Sequence, residues 1–122
     1  MSRKAETKFR ARIKPRLESL PNTVVFSIQQ QTIRGTPDLL VCCRGVFVAL
    51  ELKAAGKSPV SPLQAYNISR ISKAFGLAYV VHPDNFEVVL AVLSRIANGE
   101  AADLLSRLPI TTTGEFEKDT LC

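Results

Sequence analysis

The chain has 122 residues, 46% of them hydrophobic and 22% charged, with a formal net charge of +5. This is room for one domain with its own core, and an ordinary globular balance. It excludes several classes: no apolar run reaches the roughly 18 residues of a membrane span, and no apolar signal core follows the basic start. Cys42, Cys43 and Cys122 suggest no disulfide framework, nor a zinc-binding spacing with the lone His82, so a reducing cytoplasm is the expected compartment.

Residues 1–20 carry seven basic side chains (Arg3, Lys4, Lys8, Arg10, Arg12, Lys14 and Arg16) against Glu6 and Glu18. Their net of +5 equals that of the whole chain. Such a stretch is an electrostatic footprint for nucleic acid, although a solvated helix face or an anionic membrane surface would look similar. Nucleic acid is the favoured partner, because the apolar positions here are better used against a core. Glu6, Phe9, Ile13, Leu17 and Leu20 recur at steps of three or four, one stripe of a helix. Glu6 is the polar member of that stripe, so its carboxylate either meets water at a frayed end or aims at something in the protein. Pro15 predicts a kink or a break, since a proline inside a helix removes a hydrogen bond.

After a Pro21-Asn22 turn, Val24 to Gln30 reads as a strand, and the polar run from Gln29 to Arg34 leads out of it. Two β-type runs follow, Leu39 to Cys43 and Val46 to Leu52, separated by Arg44-Gly45, a hairpin signal. A two-residue loop pairs Cys43 with Val46 and sets Asp38 opposite Glu51, on one sheet face with Cβ atoms roughly 4.5–5.5 Å apart. Lys53, two residues on, points to the same face. Two carboxylates this close repel unless something positive compensates, and a hard divalent cation suits oxygen ligands. With Lys53 as a compact charge beside them, the chemistry favoured is metal-assisted phosphodiester hydrolysis. Taken alone, a Glu-x-Lys at a strand end is more often a pair of solvated residues. The Asp38 register and the burial-prone run Val46-Phe47-Val48-Ala49-Leu50 are what raise it above that.

Ala54 to Val60 reads as a mobile loop, and Ser61-Pro62 as the start of a helix, with Ser as N-cap and Pro at the first helical position. That helix is expected to run to about Phe75 and stop at Gly76. Gln64, Ile68, Ile71 and Phe75 form its buried stripe, with Gln64 at the head. Leu77 to Val81 is another strand. Phe86 to Ala97 is an amphipathic helix with Asp84 as a candidate N-cap, and residues 100–108 read as a short helix. The domain is expected over residues 1–108, with 109–122 a flexible polar tail. His82 reads as structural, and the lack of a Gly-rich phosphate loop argues against a nucleotide cofactor.

Pro37-Asp38 followed by Glu51-Leu52-Lys53 resembles the signature of the PD-(D/E)XK nuclease superfamily. Gly35-Thr36-Pro37-Asp38, with Gln64 on the next helix, is similar to its virus-type replication-repair nuclease (VRR-NUC) branch, over about residues 3–82. The resemblance implies an α/β, restriction-endonuclease-like core of helix, three strands, helix and strand, with a central mixed sheet flanked by helices. It also implies Mg²⁺, replaceable by Mn²⁺, held by Asp38, Glu51 and the backbone carbonyl of Leu52, with Glu6 assisting. Lys53 would position or activate a water and stabilise charge on the phosphate, and Gln64 would orient the water or the phosphate. Arg34 and Lys57 join the basic residues of the first helix as candidate nucleic-acid contacts. The small single-domain form resembles phage-type homodimers that act on branched DNA such as Holliday junctions, in the host cytoplasm. The alternatives are a nicking or restriction-like endonuclease and a non-catalytic basic DNA-binding module. The intact Asp38, Glu51 and Lys53 set argues against the last.

Overall fold

The structure, a computed structural model, describes residues 3–29 and 35–100. Arg34, the short helix expected at 100–108 beyond its first residue, the tail at 109–122 and Cys122 lie outside the described residues.

Helix α1 (Arg3–Glu18) forms on the stripe read from the sequence, with Phe9, Ile13 and Leu17 buried. Of the kink or break expected at Pro15, the break does not occur: the helix runs on through it. The ring is exposed, and so is Ala11, whose carbonyl loses its amide partner and is left to water. The carbonyl of Pro15 still accepts from the Ser19 amide at 3.0 Å.

Strands β1 (Thr23–Ser27), β2 (Leu39–Cys43), β3 (Val46–Leu52) and β4 (Leu77–Val81) form one sheet in that order. The β1–β2 and β2–β3 pairs are antiparallel, and β4 runs parallel to β3, which makes the sheet mixed. Strand β1 begins one residue earlier than expected and ends three sooner. Cys43 pairs with Val46 and Leu39 with Leu50, the predicted register. The turn between them is legible in its dihedrals: Arg44 (φ 49°) and Gly45 (φ 84°) are both left-handed, as the tightest hairpin loop requires.

The two sheet faces differ. On one, α1 and helix α3 (Phe86–Ala97) bury Val25, Val41, Val48, Leu50, Tyr79 and Val81 in the main core. Phe9 and Phe86 meet edge to face at 6.3 Å between centroids, and Arg16 forms a forked pair with Glu87 across the two helices. On the other face, helix α2 (Pro62–Lys73) sets Ile68 over the small side chains of Ala49 and Ala78 and over Val80. It covers the β3–β4 side only. Val24, Cys42 and Phe47, neighbours in register across three strands, stay exposed, and so does Phe26. Cys43 points the opposite way into the core, where burial pushes its thiol pKa up.

Two helix ends depart from the sequence reading. Helix α2 stops at Lys73, so Phe75 is not part of its buried stripe but is 93% exposed. Phe75, not Gly76, takes the left-handed position (φ 70°), while the amides of Phe75 and Gly76 satisfy the carbonyls of Ser72 and Ile71. Gly76 is needed for space instead: a Cβ there would lie 2.9 Å from the Ile71 side chain and 3.2 Å from the Phe47 ring. A left-handed non-glycine residue costs about 1–2 kcal/mol. Phe75→Gly should therefore raise stability by about 1 kcal/mol in a urea melt, net of the entropy glycine loses on folding. An unchanged or lower midpoint would mean that the Phe75 side chain contributes packing. At α3 the N-cap is Asn85, not Asp84. Its side chain makes no cap bond because it turns back to the strand end, accepting from the His82 amide (2.9 Å) and donating to the Val80 carbonyl (3.0 Å).

Candidate active site

The hairpin register brings Asp38 and Glu51 together where β2 begins and β3 ends. The Asp38 carbonyl accepts from the Ile28 amide at 2.8 Å, which extends the β1 pairing and fixes the aspartate backbone. Its side chain is held from two sides. Oδ2 accepts from the Leu52 amide at 2.8 Å, and Oδ1 accepts from Arg10 Nη2 of α1 at 3.0 Å. Glu51 is only 6% exposed. Burial first, then the charge of Asp38 and a hydrogen bond shared with it, push the Glu51 carboxyl pKa up to about 8; Lys53 pulls it down and Glu6 pushes it up.

Lys53 continues the parallel ladder through its amide, which donates to Val81 O at 2.8 Å. Its ammonium lies 3.9 Å from Glu51 Oε2 and donates to Gln64 Oε1 at 3.1 Å. Gln64 is locked at the start of α2 by a reciprocal cap: its amide donates to Ser61 Oγ, and its Oε1 accepts from the Ser61 amide. From that position its Nε2 donates to Glu51 Oε2 at 2.7 Å. One side chain thus fixes the glutamate and the lysine together. The loop before Asp38 is tied to the same helix, with Asn67 Nδ2 donating to Gly35 O at 3.0 Å.

Glu6 is half-buried on α1, four residues before Arg10, and acts on Glu51 electrostatically. Leu52 contributes its amide to Asp38, and its side chain is buried in the core. Of the basic residues of α1, Lys4, Lys8 and Arg12 are exposed, whereas Lys14 lies 3.7 Å from Glu18 and Arg16 is paired with Glu87. The side chain of Arg3 lies outside the described residues, and Lys57 is exposed in the loop after β3. His82 is buried and accepts from the Asp84 amide at 3.3 Å, a structural arrangement.

Sequence reading missed that Arg10 reaches Asp38; the available signal was its four-residue spacing from Glu6, which puts both on one helix face. It also missed the second role of Ser61-x-x-Gln64 as a reciprocal cap, which the spacing does encode.

The arrangement suits a hard cation. Two adjoining carboxylates, one deeply buried, lack enough positive charge around them, and Mg²⁺ is commonly held by one or two carboxylates. Among the described residues no group of three or more His, Cys, Asp or Glu side chains is placed to hold a metal ion. Further ligands would therefore be backbone carbonyls, water or substrate oxygens.

Helix, three strands, helix, strand around a mixed sheet is the restriction-endonuclease-like α/β fold. A solved VRR_NUC domain is similar to this chain at 28% sequence identity and a TM-score of 0.61, with 73% of this chain and 94% of that one covered. The likeness supports the VRR-NUC nuclease family for this chain. No family model and no curated protein matches the sequence. Among the described residues, no helix is long and apolar enough to cross a membrane.

Proposed function

We propose that the protein is a Mg²⁺-dependent endonuclease that hydrolyses phosphodiester bonds in DNA, with branched DNA such as a Holliday junction as its preferred substrate. The observation that carries the reading is the facing of Asp38 and Glu51 at the end of the hairpin, with Lys53 and Gln64 bonded into the same cluster. Asp38, Glu51 and the Leu52 carbonyl would hold the cation, with Glu6 adding negative charge nearby. A bound Mg²⁺ supplies a Lewis acid for the phosphate and lowers the pKa of a water. Lys53, kept in place by Gln64, positions that water and stabilises the charge that develops on the phosphate oxygens. Gln64 keeps the Glu51 carboxylate aimed and so serves the site by orienting its neighbours.

The test is to incubate the protein with four-way junction, flap, linear duplex and single-stranded DNA in Mg²⁺, Mn²⁺ or EDTA. Cleavage of the junction with either metal and none in EDTA is the expected result. No cleavage of any substrate would leave a basic DNA-binding module, and preference for linear duplex would leave a nicking or restriction-like enzyme.

Two opposed strands need two sites, so a homodimer is expected. The exposed apolar row of Val24, Cys42 and Phe47 with Phe26 gives it a surface to bury. Sedimentation should find a dimer, and mixing in Glu51→Gln chains should give heterodimers that nick only one strand of a junction. A monomer that cuts linear duplex as fast as junctions would overturn the resolvase part of the reading alone.

The exposed part of α1 is expected to lie along the DNA backbone. Replacing Lys8 and Arg12 by Ala should weaken binding and flatten its salt dependence by about 0.9 in slope per lost duplex contact. An unchanged slope would mean that this face meets solvent or protein. Arg16 and Lys14, engaged with Glu87 and Glu18, should contribute less.

A further inference from the structure

Arg10 stands apart from the other basic residues of α1, because it points into the carboxylate cluster. It uses one terminal nitrogen on one oxygen of Asp38, at 3.0 Å, and its Nε is buried without a hydrogen-bond partner among the described residues. A guanidinium forks naturally onto a carboxylate through two parallel N–H groups, so a single contact with a neighbouring N–H left unpaired is an incomplete arrangement. A buried donor without an acceptor costs stability, so an acceptor brought to it by a substrate would be favoured there. Asp38 does not need Arg10 for its orientation, since the Leu52 amide holds its other oxygen at 2.8 Å. A divalent cation that takes Oδ1 would compete with Arg10 for the same atom and repel its charge.

The geometry points to Arg10 as a phosphate-binding residue of the active site, held on Asp38 in the metal-free protein and released to an oxygen of the substrate phosphate when a divalent cation takes that carboxylate. This rests on the nuclease reading. Arg10 supplies a planar fork where Lys53 supplies only a point charge, and a phosphate has the paired oxygens that a fork recognises. Its role therefore differs from that of Lys8 and Arg12, which would follow the DNA backbone outside the site.

The experiment measures Mn²⁺ binding to the DNA-free protein by calorimetry and single-turnover cleavage at saturating DNA. It compares wild type with Arg10→Gln and Arg10→Lys. Arg10→Gln removes the competing charge and should tighten Mn²⁺ binding by roughly tenfold. Arg10→Lys keeps the charge and should bind Mn²⁺ as wild type does. Both lack the fork and should cleave about 100-fold more slowly. Unchanged Mn²⁺ affinity in Arg10→Gln, or full cleavage by Arg10→Lys, would overturn the assignment. If wild type itself neither binds Mn²⁺ nor cuts DNA, the nuclease reading falls and this one with it. A wild type that does both, beside Arg10 variants that match it, sinks only the role of Arg10.

Discussion

Asp38→Asn and Glu51→Gln should each reduce cleavage to background while the fold persists. Both substitutions are near-isosteric. An asparagine in place of Asp38 would keep an oxygen for the Leu52 amide, and a glutamine in place of Glu51 would stay in reach of Gln64. What each loses is one negative charge from a cluster whose proposed task is to hold a cation, and no other pair of carboxylates faces across the β2–β3 hairpin to replace it. DNA binding measured in EDTA should strengthen for Asp38→Asn, which removes a negative charge near the phosphate, and persist for Glu51→Gln, since the Glu51 carboxyl holds its proton in the metal-free protein below about pH 8. Circular dichroism and a thermal melt establish that the variants are folded, and gel assays with Mg²⁺ follow the cuts. Cleavage by either variant near the wild-type rate would remove Asp38 and Glu51 from the metal site.

The opposition of these two residues was legible in the sequence because it depends on one local decision. Once Arg44 and Gly45 take left-handed backbone, every pair in the hairpin is fixed, and Asp38 must face Glu51. Ser61-Pro62 was legible for the same reason: its capping chemistry lies within one turn. The parts that were not legible depend on contacts between distant elements, or on a local preference being overruled. The four-residue spacing of Arg10 from Glu6 puts both on one helix face but does not single out Asp38, 28 residues away, because the meeting requires α1 to pack across the sheet by Phe9, Ile13 and Leu17. Gly76 looked like the helix stop because glycine tolerates left-handed backbone, yet Phe75 takes that conformation. The close approach of Gly76 to Ile71 and Phe47 leaves no room for a side chain there. A break was one of the two outcomes open at Pro15, because the sequence does not reveal that the lost hydrogen bond falls on the solvent side.

Glu51 should also make the metal-free protein less stable as the pH rises. Its carboxyl pKa is pushed from an ordinary 4.5 up to about 8 by burial and by Asp38. Between those values the folded chain holds a proton that the unfolded chain has lost. Stability is thus greatest below about 4.5 as far as this group is concerned. It falls by at most about 1.4 kcal/mol per pH unit through the window, and the loss is complete above the folded value. Urea melts in EDTA at pH 5, 6, 7 and 8 should show this decline, and Glu51→Gln should flatten it, since the amide has no proton to lose. A divalent cation needs the ionised carboxylate, so Mg²⁺ binding should release a proton and tighten by up to about tenfold per pH unit below 8. Calorimetry in buffers of different ionisation enthalpy measures that proton directly. If the wild-type decline matches that of Glu51→Gln, or if Mg²⁺ affinity is flat from pH 6 to 8, Glu51 is already ionised in the metal-free fold. In that case Arg10 and Lys53 supply more positive charge at the site than the burial of Glu51 opposes.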